Sequence, residues 1–378
     1  MRPAHDLDVR AKVAYLADPH HFAGHPRAVE VIETHFAWVF LAGSYALKLK
    51  KPLRQGSLDY RTLARRERAC RAELRLNRRI APDVYLGVEP LWRTRDGRLS
   101  RRGGDRVVEW LVCMRKLPAS RRLDQLLSTG AFDPRRLEPL LARLTVFFRG
   151  AEPRPLSDRA YRARLRGQIE GTLRELSAAD LGLGRERVRR LARVQLEFLA
   201  RNRRIFQGRG ARLIDGHGDL RPEHVFLGPR TLGVCVIDCL EFDSRLRRLD
   251  PAEEMAFLAL ECARLGAAPT AQALLAGYRR TMGDPASQAL FDFYMSRRAA
   301  VRAQLMAWHL RDEAFAGERR AWRARAHSYL DEAIDLCRRA GTGIIPRETA
   351  ATARGGTPRV RPRPAAAAPR RRGSRPAG

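Results

Sequence analysis

The sequence predicts an α+β fold of two lobes, in which a small, mostly β N-terminal lobe precedes a larger helical lobe. Two observations predict it. Short strand-like runs surround one amphipathic helix in the first part of the chain, and after Pro118 apolar residues recur mainly at helical spacing. We expect the lobes to span residues 1–117 and 118–344. Residues 345–378 are rich in Arg, Pro, Ala and Gly without periodicity, which predicts a disordered tail.

The predicted N-terminal lobe has the order β-β-β-α-β-β. Its helix runs from about Thr62 to Arg79 and is bounded by Pro82. One face of this helix carries Cys70, Glu73, Leu74 and Asn77. The five strands are predicted at Val29–Glu33, Trp38–Ala42, Tyr45–Lys50, Val84–Leu91 and Val107–Met114.

The predicted C-terminal lobe is interrupted by a compact segment of loops and strands at Asp215–Asp243. After this segment, apolar spacing from Ala252 to Leu336 predicts several helices. The helices predicted before it are Leu123–Leu127, about Arg135 to Arg149, and about Arg185 to Phe206.

Composition restricts the class of protein. With 378 residues, of which 44% are hydrophobic, the chain can bury two sizeable cores. It has no apolar run long enough to cross a bilayer, and its first residues lack the basic-then-apolar pattern of a signal peptide. The six cysteines are scattered, so we expect them to be reduced core residues. These features predict a cytoplasmic protein with no membrane partner.

The formal net charge of +31 attracts anions, and nucleic acid is the obvious candidate. However, only five of the 73 basic residues are lysines, which leaves 68 arginines. This skew favours a general arginine bias over a nucleic-acid site. Three of the five lysines, Lys48, Lys50 and Lys51, cluster at the end of one predicted strand. A compact ammonium group suits contact with a phosphate.

Two aspartates are placed for phosphoryl transfer. Asp219 lies in a turn before the run Val225–Leu227, within HGDLRPEHVFL at 217–227. Asp238 ends the run Val234–Ile237, within VCVIDCLEFD at 234–243. A hairpin would bring both carboxylates to one edge. Phosphoryl transfer uses one carboxylate to orient an acceptor hydroxyl and another to hold Mg²⁺ against the ATP phosphates.

These segments resemble the aminoglycoside-phosphotransferase and choline-kinase superfamily. HGDLRPEH resembles its catalytic loop, usually HGDxxxxN, and VIDCLEF resembles its metal-binding motif. Three further segments resemble a subgroup of aminoglycoside-phosphotransferase-like proteins. They are WVFLAGSYALKLKKPL at 38–53, ELRLNRRIAPDVYL at 73–86 and DPAEEMAFLALEC at 250–262. The resemblance covers about residues 10–340. It implies a protein-kinase-like fold and a single kinase domain without a fused P-loop domain.

The resemblance also implies residue roles. Asp219 matches the catalytic base, Asp238 the metal ligand, and Lys48 the phosphate-binding lysine of the third strand. Ala46-Leu47-Lys48 fits the Val-Ala-Ile-Lys pattern. Strand alternation puts Lys50 on the same face as Lys48, so Lys50 is the alternative.

Two further expectations concern nucleotide binding. The helix glutamate that pairs with the lysine should be Glu73, because an unpaired charge on an apolar helix face would be costly. Glu67 shares much of that face and is the alternative. The hinge that contacts adenine through backbone groups is expected near Met114–Leu117.

One position departs from the family pattern. His224 stands where the family usually has an asparagine that ligates Mg²⁺ through oxygen. Magnesium prefers oxygen ligands, whereas imidazole suits Mn²⁺ or Zn²⁺ better. Two interpretations follow: His224 binds a metal in its own way, or Asp238 and waters hold Mg²⁺ while His224 braces the loop. His217 is expected to hold the loop rather than to react.

The expected function is ATP-dependent transfer of the γ-phosphate to a hydroxyl of a small molecule, with Mg²⁺ as cofactor and Mn²⁺ as the alternative. The expected partners are ATP and that hydroxyl-bearing substrate. Aminoglycosides are polycations that a chain of charge +31 repels at long range, so a neutral or anionic metabolite is favoured. The alternative is a non-catalytic kinase-like scaffold that binds nucleotide, a partner protein or nucleic acid.

Overall fold

The computed structural model describes residues 9–130, 132–228, 233–311 and 317–342, and the predicted tail lies outside them. The N-terminal part contains α1 (Val9–Ala17), β1 (Val29–Glu33), β2 (Ala37–Ala42), β3 (Tyr45–Lys50), β4 (Arg54–Gln55), β5 (Leu58–Asp59), α2 (Leu63–Asn77), β6 (Tyr85–Arg93), β7 (Leu99–Ser100) and β8 (Arg106–Arg115). The remainder contains α3 (Leu123–Leu127), α4 (Glu138–Gly150), α5 (Asp158–Leu176), α6 (Arg185–Arg201), β9 (Ile214–Asp215), β10 (Val225–Leu227), β11 (Val234–Val236), α7 (Ser244–Arg247), β12 (Arg248–Leu249), α8 (Pro251–Arg264), α9 (Ala268–Met282), α10 (Gln288–Trp308) and α11 (Arg319–Thr342).

The N-terminal lobe is built on an antiparallel sheet with strand order β1-β2-β3-β8-β6-β7. Helix α2 packs against β8 and β6. All five predicted strands and the predicted helix are present, whereas α1, the hairpin β4–β5 and the edge strand β7 were not predicted. Two-residue strands carry no periodic signal. With the helical lobe that follows, the predicted two-lobed, protein-kinase-like α+β fold is confirmed.

A buried ion-pair cluster links helix α2 to α1 and β8. Arg66 on α2 donates from Nε to Glu109 Oε1 at 2.8 Å, and Lys12 on α1 donates from Nζ to Glu109 Oε2 at 3.0 Å. All three side chains are almost fully buried, so each charge needs its partner. The cluster ties α1, α2 and β8 together and sets the position of the rest of α2.

The helical lobe differs from its prediction at several helix ends. The helix predicted from Arg135 begins at Glu138, because the preceding residues form a 3₁₀ turn capped by Asp133. The helix predicted to reach Phe206 ends at Arg201, because Asn202 leaves the helical conformation. The 19-residue helix α5 was not predicted.

Other expectations from composition can be compared with the described residues. All six cysteines are free and buried, as predicted. None of the helices in the described ranges is long and apolar enough to span a membrane. Strands β10 and β11 pair as an antiparallel hairpin, so the loop before β10 and the loop after β11 emerge side by side.

Candidate functional site

Two lysines of β3 share one glutamate of α2. Lys48 Nζ donates to Glu73 Oε1 at 2.9 Å, and Lys50 Nζ donates to Glu73 Oε2 at 2.6 Å. The alternation of side chains along the strand puts both lysines on the face that α2 covers. Glu73 is fully buried, whereas Glu67 pairs with Arg71 near the surface. Glu73 is therefore the α2 carboxylate that contacts the lysines.

The ion-pair chain continues to the segment that follows β11. Lys48 Nζ also donates to Asp238 Oδ1 at 2.6 Å. Lys50 Nζ also donates to Glu241, which accepts a second hydrogen bond from the Tyr60 hydroxyl. Two ammonium groups thus face three carboxylates. The cluster carries a surplus of one negative charge, and Asp238 is its most exposed carboxylate, at 40%.

The charges in this cluster stabilise one another. Burial opposes the charged form of Lys48, but the carboxylates of Asp238 and Glu73 overcome it and hold the lysine pKa well above its usual value. Burial likewise opposes the charged form of Asp238, yet Lys48 and then His224 hold the pKa of Asp238 well below its usual range. Lys48 and Asp238 are therefore both ionised near neutral pH.

Asp238 is held in an unusual backbone conformation. Its φ of +65° lies in the left-handed region, which residues other than glycine, asparagine and aspartate rarely adopt. Its backbone N–H donates to the Tyr85 hydroxyl at 3.1 Å, and the next N–H, that of Cys239, donates to Asn77 Oδ1 at 2.9 Å. The end of α2 and strand β6 thus fix the turn that aims the Asp238 carboxylate. Strained residues of this kind cluster at functional sites.

The second aspartate, Asp219, lies in a loop whose backbone is fixed by His217. The ring Nε2 of His217 donates to the carbonyl of Ile237 at 2.9 Å, and its Nδ1 accepts from the Asp219 N–H at 3.3 Å. Burial, followed by the nearby His224, lowers the pKa of His217 to about 3. A neutral His217 therefore links the loop before β10 to the end of β11, as the sequence predicted for its structural role.

Arg221 is the closest cation to the Asp219 carboxylate. Its Nε lies 3.1 Å from both Asp219 oxygens. Burial would raise the pKa of Asp219, but Arg221, then His224 and Arg302, lower it to about 2. The Asp219 carboxylate is therefore ionised throughout the neutral range and available to accept a hydrogen bond.

His224 lies between the two aspartates. Its Nδ1 donates to the carbonyl of Asp219 at 2.8 Å, so in the neutral form of the ring Nε2 carries the lone pair. That Nε2 accepts from Arg221 at 3.2 Å and lies 3.6 Å from Asp238 Oδ2. Metal-ligating histidines commonly donate their second ring nitrogen to a carbonyl in this way.

Glu254 on α8 binds the backbone of the loop that carries Asp219. Its Oε1 accepts hydrogen bonds from the N–H groups of His217 and Gly218, each at 2.7 Å. A Cβ at residue 216 would lie 2.5 Å from this oxygen, which explains the glycine there. Burial raises the pKa of Glu254 to about 7, although the two N–H groups and Arg298 oppose the rise.

This raised pKa leads to a testable pH dependence. Between pH 4.5 and 7 the folded state binds more protons at Glu254 than the unfolded state does, so the free energy of unfolding should fall as pH rises through that window. The decline from this one group should be at most about 3 kcal/mol. Glu254→Gln has no titrating group at this position, so its free energy of unfolding should not show this decline. Urea unfolding of both proteins at pH 5, 6, 7 and 8 measures the difference, and parallel curves would contradict the account.

The structure therefore brings together Lys48, Lys50, Glu73, Asp219, His224 and Asp238. The expected nucleotide-binding residue Met114 lies apart from these charges, in β8 opposite Ala46 and Tyr85. Its side chain belongs to an apolar cluster that crosses from the sheet to Phe226 and Ile237 of the other lobe. The chain leaves β8 at Arg115, within the predicted hinge segment.

Sequence reasoning missed Glu241, Tyr60 and Arg221. One signal was available for Glu241. Lys50 lies in a strand rich in apolar residues and needs a second buried acid, and Glu241 stands in the same VIDCLEF motif as Asp238. The structure shows no group of three or more His, Cys, Asp or Glu side chains arranged to hold a metal among its described residues.

No protein-family model matches the chain. It is 34% identical over 283 residues to uncharacterized proteins of Mycobacterium bovis and Mycobacterium tuberculosis. The aligned part is 73% of this chain and 54% of those relatives. The chain thus spans about half the length of the curated relatives it matches.

Solved structures also resemble the chain. They include a choline/ethanolamine kinase family protein from Mesorhizobium loti, with 16% identity, a TM-score of 0.46, and coverage of 87% of this chain and 99% of that one. The GDP complex of a mutant aminoglycoside 2′-phosphotransferase has 15% identity, a TM-score of 0.45, and coverage of 88% and 98%. At these identities and scores no residue role is transferred from them. These solved structures bear the names of the superfamily that the sequence motifs of this chain resemble.

Proposed function

We propose that the protein is an ATP-dependent phosphotransferase that moves the γ-phosphate to a hydroxyl of a small molecule. The observation that carries the proposal is the placement of two ionised aspartates around His224, with Asp238 paired to Lys48 and Lys48 paired to Glu73. Phosphoryl transfer needs a cation on the phosphates, a carboxylate for metal and a carboxylate for the hydroxyl. This cluster supplies all three groups.

The nucleotide base would lie in the apolar cluster between the lobes. Ala46 and Met114 line it from the sheet, and Phe226 and Ile237 line it from the other lobe. The apolar surface of this cluster would suit a flat purine that enters between the lobes, with the polar edge of the base against backbone groups near the hinge at residues 114–117. From there the phosphates would extend along β3 towards Lys48. Glu73 orients the Lys48 ammonium group for this contact.

The two carboxylates would have different tasks. In the transfer, the acceptor oxygen forms a bond to the γ-phosphorus while the bond between that phosphorus and the β–γ bridging oxygen breaks. The hydroxyl proton passes to the Asp219 carboxylate, and ADP leaves with the bridging oxygen. Asp219 positions the hydroxyl for this step, and Lys48 offsets negative charge on the phosphates.

The donor set fits a divalent cation that is shared with the nucleotide. The cluster has one surplus negative charge, and Asp238 is its most exposed carboxylate. Mg²⁺ is usually held by one or two carboxylates together with phosphate oxygens, so an all-protein site of three ligands is not required. Asp238 would hold the ion, and His224 Nε2 would be a second ligand once it releases the hydrogen bond from Arg221. When bound, the ion would neutralise charge on the phosphates.

The direct test follows transfer of labelled phosphate from ATP to a panel of hydroxyl metabolites that includes neutral, anionic and cationic members. We expect Mg²⁺-dependent ATP binding and transfer to at least one class. Tight nucleotide binding without any hydrolysis or transfer would instead support the non-catalytic scaffold, in which His224 marks lost chemistry.

A substitution at His224 separates its two interpretations. If His224 Nε2 ligates the ion, Mn²⁺ should support turnover at least as well as Mg²⁺, because Mn²⁺ tolerates nitrogen ligands better. His224→Asn would supply an oxygen ligand and should shift the preference towards Mg²⁺. The measurement is the Mn²⁺/Mg²⁺ ratio of kcat/KM for both proteins. An equal ratio in the two proteins would leave His224 with the task of bracing the loop through the Asp219 carbonyl.

A further inference from the structure

Two ion pairs connect β3 to the segment that follows β11. Lys48 pairs with Asp238, and Lys50 pairs with Glu241. The side chains of the first pair are 15% and 40% exposed, whereas those of Lys50 and Glu241 are only 2% and 7% exposed. A ligand from solvent can therefore reach the first pair far more easily than the second. In the proposed function, Lys48 turns to the ATP phosphates and Asp238 to Mg²⁺, so the first pair separates when Mg²⁺·ATP binds.

Lys50 is enclosed by its own partners. Its Nζ donates to Glu73 and to Glu241, and it lies 5.0 Å from the centroid of the Tyr60 ring. Burial opposes the charged form of Lys50, but Glu241 and then Glu73 hold the lysine pKa well above its usual value. The ammonium group is therefore ionised and already neutralised inside the protein. This placement suits a positioning role better than contact with a phosphate.

The hairpin β4–β5, which lies between β3 and α2, supplies the second contact to Glu241. The Tyr60 hydroxyl donates to Glu241, and burial raises the pKa of Tyr60 well above its usual value, so the hydroxyl keeps its proton. The Tyr60 backbone is held in turn, because its N–H donates to the carbonyl of Leu53 at 2.8 Å and its carbonyl accepts from Arg66 at 2.9 Å. Phe242, the residue after Glu241, packs against the apolar cluster that contains Tyr60.

We propose that Lys50, Glu241 and Tyr60 are positioning residues that form a buried tether between β3 and the segment after β11, and that this tether persists while Lys48 and Asp238 exchange partners for Mg²⁺·ATP. The inference rests on the proposed function. The backbone bonds of residues 238 and 239 to Tyr85 and Asn77 fix one end of the segment, and the tether fixes the other. Phosphoryl transfer depends on the distance between groups that the two lobes supply, so a fixed segment raises kcat.

The test neutralises both charges of the tether. Lys50→Met/Glu241→Gln removes one cation and one anion, so the lysine–carboxylate cluster keeps its surplus of one negative charge. Because Lys50 contacts no phosphate in this scheme, the double variant should bind ATP without metal as the wild type does. Its kcat should fall about 10–10²-fold, since a misplacement of about 1 Å can cost 10²-fold. Calorimetry and kinetics measure the two quantities, at a temperature where thermal unfolding shows both proteins folded.

The matched control is Lys51→Met/Glu33→Gln. It removes a lysine–glutamate pair directly after β3 that lies within the N-terminal lobe, and it should keep the wild-type kcat. Tyr60→Phe is the second variant of the tether. It keeps every charge and the aromatic ring and removes only the hydroxyl that donates to Glu241. Its kcat should fall less than that of the double variant, with unchanged ATP affinity, and it carries the test if the double variant does not fold.

The outcomes separate the tether from its alternatives. Wild-type kcat in the folded double variant, or in Tyr60→Phe if the double variant does not fold, would overturn the inference. A loss of metal-free ATP affinity as large as that caused by Lys48→Met would overturn it too, because Lys50 would then contact the phosphates.

A second measurement needs no turnover. Hydrogen exchange of the amides of residues 239–242 should be at least about tenfold faster in the double variant than in the wild type, as expected when a buried charge-assisted contact is lost. Equal exchange in the two proteins would contradict the tether. Absent nucleotide binding or transfer by the wild type would refute the proposed function instead, and exchange of the nucleotide-free protein would still report on the tether.

Discussion

Replacing Asp219 with Asn is expected to lower kcat about 10²–10⁴-fold, the usual contribution of a positioned general base. The amide keeps the shape of the carboxylate but cannot take up the hydroxyl proton. Mg²⁺·ATP affinity should be unchanged, because Lys48 and Asp238 are intact. Phosphotransfer kinetics and calorimetry of nucleotide binding measure the two quantities separately.

Stability provides the control for this variant. Asp219→Asn also removes the partner of Arg221, so a loss of folded protein must be excluded by thermal unfolding. Asp124→Asn is a matched variant, because Asp124 pairs with an arginine two residues away, Arg122, outside the cluster of lysines and carboxylates. It should leave kcat near the wild-type value. Undiminished turnover in Asp219→Asn would remove Asp219 from the mechanism.

The order of strands and helix along the N-terminal part of the chain and the pair Lys48–Glu73 could be predicted because both depend on short-range patterns. Alternation along β3 fixes which side chains share a face, and the apolar face of α2 singles out Glu73. The tie between Lys50 and Glu241 depends instead on residues 191 positions apart. No local periodicity encodes that contact, and only the packing of the lobes creates it.

Helix α5 shows why a real helix can be missed. Its buried residues, Tyr161, Leu165, Ile169 and Leu176, are spaced by four, four and seven positions, which is a helical pattern. Four arginines and two glutamates lie among the twelve positions between them, so the mean hydropathy of the segment is low. The same arginine excess that hides this helix also concealed Arg221 among the 68 arginines of the chain.

Replacing Asp238 is expected to abolish the Mg²⁺-dependent part of ATP binding and to lower kcat about 10²–10³-fold, as removal of one preorganised electrostatic contact does. The backbone decides which substitution is informative. At a φ of +65°, alanine would add strain, whereas asparagine adopts this region with less difficulty. Asp238→Asn therefore changes the charge with little change in the turn. Lys48 keeps Glu73 as its partner, so the fold should persist.

The decisive comparison is ATP affinity with and without Mg²⁺. Wild type should gain affinity when Mg²⁺ is added, and Asp238→Asn should not. Asp243→Asn is the control from the same segment, because Asp243 pairs with Arg245 and caps α7 without contacting either lysine in the structure. It should keep the full gain, and its cap should persist because asparagine is as good an N-cap as aspartate. An equal Mg²⁺-dependent gain in Asp238→Asn and wild type would contradict metal binding by Asp238, because the ion would then be held by the nucleotide and other residues alone.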